Sequence, residues 1–251
     1  MRGIYFKELN AFLSSLSGYV VLLAFLIASG LLLWVMPDTN IFPFGNILDY
    51  GYATLDQFFI MAPLLLLFLI PAITMRSFSE EYSKGTIEWL STKPLTHLQV
   101  IGAKFLASFS LVIIALLPTL IYLFSIVWLS LDNSPLDAGA IMGAYIGLIL
   151  LSGTFTAIGL FCSSITDNQI VSFLAALFLC FLFYSGFEAF SRISTFRGGA
   201  DYYLQMLGMD YHYNSISRGV IDTRDIVYFL SLTTLFIFLT RYSLQRKILK
   251  S

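Results

Sequence analysis

Arg76–Lys104 reads RSFSEEYSKGTIEWLSTKPLTHLQVIGAK and is the longest charged interruption in an otherwise apolar chain. It holds four basic residues (Arg76, Lys84, Lys93, Lys104) and three acids (Glu80, Glu81, Glu88), in a protein where only 12% of residues are charged. On either side lie segments long and apolar enough to cross a bilayer. The stretch is therefore expected to sit in water on one face, as a short helical grip offered to a soluble partner.

Working outward, 58% hydrophobic residues and a mean hydropathy of +0.83 describe a polytopic membrane protein, because the apolar share of a soluble domain is nearer half. Each span needs about 20 apolar residues to match the hydrocarbon thickness. A net charge of −1 points neither to nucleic acid nor to an anionic surface as partner. Cys162 and Cys180 both fall inside apolar segments, where a thiol packs as a small hydrophobe, so no disulfide framework is expected. Arg2 and Lys7 precede an apolar run that no small-x-small cleavage site closes, which makes it an uncleaved first span.

The predicted fold is all-α: six transmembrane helices after an N-terminal interfacial helix, forming a single transmembrane domain over 1–251. In residues 1–15, Tyr5, Phe6, Leu9, Phe12, Leu13 and Leu16 gather on one side of a helical wheel, with Lys7, Glu8, Asn10 and Ser14 opposite. The spans are expected at about 16–36, 58–75, 105–130, 138–162, 169–187 and 225–240. Span two contains Pro63 and Pro71, tolerable only where neighbours satisfy the freed carbonyls. Span four carries Gly139, Gly143 and Gly147 at four-residue spacing, a face along which another helix can approach closely. Packing within one subunit and a subunit interface are both compatible with that face. Asp167, Asn168 and Gln169 are placed to cap span five, and 188–224 reads as a Tyr-rich segment that dips into the interface or folds back as short helices.

Six spans put both termini on one side. The N-terminus, the 76–104 stretch and the C-terminus hold ten basic residues: Arg2, Lys7, Arg76, Lys84, Lys93, Lys104, Arg241, Arg246, Lys247 and Lys250. The opposite face holds four, Arg192, Arg197, Arg218 and Arg224. Cytoplasmic loops carry the excess of Lys and Arg, so both termini and the charged stretch are expected inside.

No Gly-Lys dipeptide occurs, so the chain has no phosphate-binding loop of the kind that holds ATP. Its histidines, His97 and His212, are assigned to opposite faces, and no metal, cofactor or catalytic set emerges. Glu80-Glu81 invites comparison with the paired glutamates of membrane proteases that process prenylated proteins. Gly85 follows where those need Arg, and spans two to five contain no His. Glu188, at the end of span five, is the only acid near a span interior; it is either a solvated interface residue or part of a pathway.

Glu81-x-x-x-Gly85-Thr86-x-Glu88-x-Leu90, followed by Pro94 and by Gly102 with Lys104, resembles the cytoplasmic signature of ABC-2-type transporter permeases. Ser163-Ser164-x-Thr166-Asp167-Asn168-Gln169-Ile170 and Ile216-Ser217-Arg218-Gly219-Val220-Ile221-Asp222 resemble the gliding-motility-associated permease subunits of Bacteroidota. The resemblance covers nearly the whole chain. It implies a type V exporter-like architecture in the bacterial inner membrane, with short re-entrant outer helices before span six. It also implies a partner ATPase that binds ATP and magnesium, a second permease subunit or a second copy, and a coupling helix that docks on the ATPase. Matched onto this sequence, the docking residues are Glu81, Lys84, Gly85, Thr86, Glu88, Trp89, Leu90 and Pro94. Gly85 allows a bend, Glu81, Lys84 and Glu88 share a helical face, and Trp89 and Leu90 supply apolar anchors. Two other classes are set against this. A secondary transporter driven by ions wants midplane charges or inverted repeats, and neither is seen; a non-transport membrane scaffold would use the same ATPase contact as a signal.

Overall fold

The computed structural model describes residues 1–35, 54–86, 96–129, 137–192 and 200–248, and all regular structure among them is helical. In order these are α1 (Arg2–Leu13), α2 (Leu16–Trp34), α3 (Asp56–Thr74), α4 (Ser79–Ser83) and α5 (His97–Leu116). A 3-10 turn at Leu117–Thr119, at Pro118, joins α5 to α6 (Leu120–Leu129). There follow α7 (Ala138–Ile165) and α8 (Gln169–Phe181), the latter running through a π turn, Leu182–Gly186, into α9 (Phe187–Ser191). The short α10 (Ala200–Met206) and α11 (Met209–Ser217) precede α12 (Thr223–Ile248). Six stretches are long and apolar enough to cross a membrane: α2, α3 with α4, α5 with α6, α7, α8 with α9, and α12. This is a multi-pass membrane protein.

Helix α7 is the axis of the bundle. Its most apolar stretch is 78% buried, against 17% for α12 and 22% for α2, so the outer helices turn their apolar faces to lipid while α7 meets protein all round. Small residues make that arrangement feasible. A Cβ on Gly159 would fall 2.1 Å from Thr74 Oγ1, so α3 crosses α7 where only glycine fits. On the other side, Thr154 Oγ1 lies 3.1 Å from Thr233 Oγ1 and donates to the Phe229 carbonyl of α12 at 3.3 Å.

The glycine face of α7 is filled from within the chain. A Cβ on Gly143 would lie 2.6 Å from the Ile216 carbonyl oxygen, and one on Gly147 would lie 3.1 Å from the Tyr213 ring, so α11 lies directly against this face. Gly139 and Ala140 receive the turn at Gly219, whose φ of +85° is the left-handed conformation that glycine adopts without penalty. Tyr213 then extends past α7 and donates its hydroxyl to the Phe59 carbonyl at 2.7 Å. That carbonyl is the one left without an intrahelical partner by Pro63, which has no N–H. One tyrosine thus fills a glycine gap in one helix and satisfies a proline gap in another.

Both termini gather at one end of the bundle, and α10 and α11 cap the other. His212 of α11 strengthens that cap: Nδ1 lies 2.7 Å from Asp225 Oδ1 at the start of α12, and Nε2 lies 2.9 Å from the Met206 carbonyl. His97, at the start of α5, is at the termini end.

Two features differ from the expectation. The third spanning helix begins at His97 rather than near residue 105, because Thr96 and Gln99 form a capping box (Thr96 Oγ1 accepts from the Gln99 amide at 3.3 Å, Gln99 Oε1 from the Thr96 amide at 3.1 Å). In α1, Phe6 is exposed, whereas Glu8, expected on the water side, turns inward to an ion pair; a buried cation overrides the apolar wheel.

Gly143→Ala should lower stability by about 1–3 kcal/mol, the usual cost of overpacking. Gly153→Ala, whose Cβ would meet only Phe109 at 3.6 Å, should be neutral or slightly stabilising. Thermal unfolding of both variants in detergent separates the two positions.

Candidate functional site

At the termini end the chain concentrates its polar interactions around α4. Lys104, on α5, is only 1% exposed. Its ammonium has three N–H donors and meets three acceptors: Glu8 Oε1 at 2.8 Å, Glu81 Oε1 at 2.9 Å and the Ser77 carbonyl at 2.5 Å. The Phe78 ring lies beneath it, 5.0 Å from Nζ to the centroid. One cation therefore joins α1, the turn before α4, α4 itself and α5. Removing it would strand two carboxylates, and among the described residues Glu81 Oε2 is already buried without a hydrogen-bond partner.

Two further contacts fix α4. Ser163 Oγ, on α7, accepts from the amides of Phe78 at 2.9 Å and Ser79 at 3.1 Å, and donates to the Met75 carbonyl at 3.1 Å. It supplies the hydrogen bonds that the helical ladder lacks where α3 gives way to α4. From α12, Lys247 Nζ sits 3.7 Å from the centroid of the Tyr82 ring and pairs with Asp167 at the α7–α8 turn. Just ahead of α4, Arg76 donates to Ser17 Oγ of α2 at 2.9 Å. Helices α1, α2, α5, α7 and α12 are thus all tied to α4 or to the turn that leads into it.

The exit from α4 is equally defined. Gly85 has φ +66°, its amide donates to the Tyr82 carbonyl at 3.1 Å, and the Thr86 amide donates to the Glu81 carbonyl at 2.9 Å. That pair of bonds, with glycine in the left-handed position, is a Schellman motif. Lys84 points to water and pairs with Glu80 at 2.6 Å, an exposed pair worth about 0.3–0.5 kcal/mol.

Glu81, Lys84, Gly85 and Thr86 therefore sit together on α4 and its cap, with Glu81 turned inward to Lys104. Glu88, Trp89, Leu90 and Pro94 lie outside the described residues. Glu188 is at the opposite end of the bundle, paired with Arg192 at 2.6 Å, and Gly139, Gly143 and Gly147 are also remote from α4. Lys104 corrects the expectation of a wholly water-exposed stretch. The signal is present in the helical spacing: Val100, Ile101, Lys104, Ala107, Ser108 and Leu111 are the buried face of α5. Asn168, rather than Asp167, caps α8, accepting from the Ile170 amide at 2.9 Å; Asp167 is drawn to Lys247. The carboxylate of Glu8 and the hydroxyl of Ser163 carry no such signal, because each acquires its role only from a neighbour distant along the chain.

Lys104→Met should destabilise by roughly 3–5 kcal/mol, the range for breaking a buried ion pair from one side. Lys84→Ala should change stability by less than about 0.5 kcal/mol, and Gly85→Ala should cost about 1–2 kcal/mol for its left-handed backbone. Melting temperatures in one detergent rank the three.

A family model described as ABC-2 family transporter protein matches residues 18–247. No curated protein matches the chain.

Proposed function

The chain belongs to the ABC-2 family of transporter proteins, and from that premise we propose that it is the permease subunit of an ATP-binding cassette transporter, worked by a separate ATPase that docks from Glu81 to Pro94. ATP and magnesium belong to that partner. A second copy or a second permease completes the pathway across the membrane. The resemblance to gliding-motility permeases supplies the proposed setting, a GldF-type subunit in the inner membrane of a gliding bacterium. The ten-to-four excess of Lys and Arg supports a cytoplasmic position for the termini end.

The observation that carries the proposal is the Lys104 ion pair. A docked ATPase does work only if its binding differs in free energy between two arrangements of the permease. Force applied at α4 has a stiff route into the membrane, because Glu81 is tied through Lys104 to α5 and α1, and Phe78 and Ser79 are tied through Ser163 to the axial helix α7. A solvated loop serving only as a signal platform has no need of such ties.

Glu88→Lys should abolish co-purification with the partner ATPase while leaving membrane insertion intact, and unchanged complex formation would remove the docking role. Lys104→Met should instead keep the complex and cut permease-stimulated ATP hydrolysis by on the order of tenfold, since it removes transmission rather than contact. Impermeant thiol labelling of Lys84→Cys from outside intact cells should fail; labelling there would reverse the orientation.

A further inference from the structure

At the end of the bundle opposite the termini lies a cavity of about 520 Å³, within the range of small-molecule sites. Its walls are α9 with Glu188, α10 with Gln205, and α11 with Asp210, Asn214, Ser215 and, at its C-terminal end, Arg218. It opens beside the π turn of the fifth span, a local irregularity frequent at functional sites.

The arrangement of charge is the informative feature. Asp210, Asn214 and Arg218 follow one another at i, i+4 and i+8, so they form a single stripe along α11 that runs from carboxylate through amide to guanidinium. About 12 Å of helix rise separates the first from the last. The reach of the arginine back toward the helix N-terminus shortens the distance between the charged groups. Glu188, which also pairs with Arg192, adds a second carboxylate at the acidic end. Burial pushes the Asp210 carboxyl above its ordinary value; hydrogen bonds from the Tyr184 hydroxyl and the Asn214 amide pull it back, and the charge of Glu188 and a hydrogen bond shared with it push it up again. Among the described residues Arg218 has no ion-pair partner. A ligand that complements this wall carries a cation at one end and an anion at the other.

Position selects among such ligands. Trp128 is 93% exposed at the end of the third span, and Tyr203 of α10 is 72% exposed. Exposed Trp and Tyr at the ends of spanning helices mark the headgroup level of a bilayer. Val220, which lines the cavity near Arg218, and its neighbour Ile221 are exposed apolar residues, an apolar exit on the anion side of the stripe. A water-soluble zwitterion has no use for that exit.

The geometry points to a site for the phosphoethanolamine headgroup of a membrane lipid, with the ammonium between Glu188 and Asp210, whose carboxylate Asn214 helps to hold, and the phosphate on Arg218, flanked by Ser215. An ethanolamine ammonium has N–H groups to donate to the two carboxylates; a choline headgroup has none, and a glycerol headgroup lacks the cation. The site stands on α9 to α11 alone and does not depend on the docking of an ATPase.

Delipidated full-length protein in detergent can be titrated with short-chain phosphatidylethanolamine, phosphatidylcholine, phosphatidylglycerol and soluble phosphoethanolamine, with bound lipid counted by native mass spectrometry. Phosphatidylethanolamine should bind at least about tenfold more tightly than each of the other three. Glu188→Gln and Arg218→Gln should each remove most of that preference. Arg218 is exposed and Glu188 partly so, and both variants should melt with the parent, whereas Asp210→Asn also touches Tyr184 and serves only as confirmation. Equal binding of phosphatidylglycerol, or an unchanged preference in both the Glu188 and Arg218 variants, would overturn the site. Soluble phosphoethanolamine binding as tightly as the lipid would overturn the assignment to a membrane lipid.

Discussion

A lysine ammonium withdrawn from water must find compensation for its lost hydration or it will not stay charged and buried. Lys104 finds it in two carboxylates and a carbonyl, drawn from parts of the chain as far apart as Glu8 and Glu81. That single requirement orders the termini end of the molecule. It rotates α1 so that Glu8 faces inward, it extends α5 below the apolar span, and it holds the short helix α4 against the bundle. Ser163 and Lys247 add to a joint whose centre is this cation.

The opposite end obeys a different constraint. There, close approach to α7 governs the structure: Gly143 admits the backbone of α11 and its turn, Gly147 admits the Tyr213 ring, and nearer the cation Gly159 admits the Thr74 side chain. In lipid, helices gain little from burying apolar surface against each other, so steric fit and hydrogen bonds decide association. Tyr213 meets both demands at once, filling the space above Gly147 and capping the carbonyl exposed by Pro63. The two ends communicate through α7, the most buried of the six spanning stretches among the described residues.

Much of this is legible in the sequence for simple reasons. Hydropathy finds spanning helices because a bilayer demands about 20 apolar residues each, and the four-residue glycine spacing announces a close approach on α7. Gly85 reads as a bend, and it is the left-handed residue of a helix cap. Partnership is what the sequence hides. Lys104 looks like surface charge when counted with its neighbours along the chain, yet its helical register with Ile101 and Ala107 puts it in the core. The role of Glu8 depends on Lys104, and that of Ser163 on the junction between α3 and α4, so neither is visible from local pattern. Ile216 and Tyr213 likewise read as an ordinary loop helix until α7 supplies the groove they fill.

The cap at Gly85 and the capping box at Thr96 bracket residues 87–95 with self-contained hydrogen bonding on each side. At the exit of α4 the Gly85 and Thr86 amides turn back to the Tyr82 and Glu81 carbonyls, and at the entry of α5 Thr96 and Gln99 satisfy one another. Each helix end thus carries its own punctuation, so a change at one of these two turns is felt first at the helix it closes.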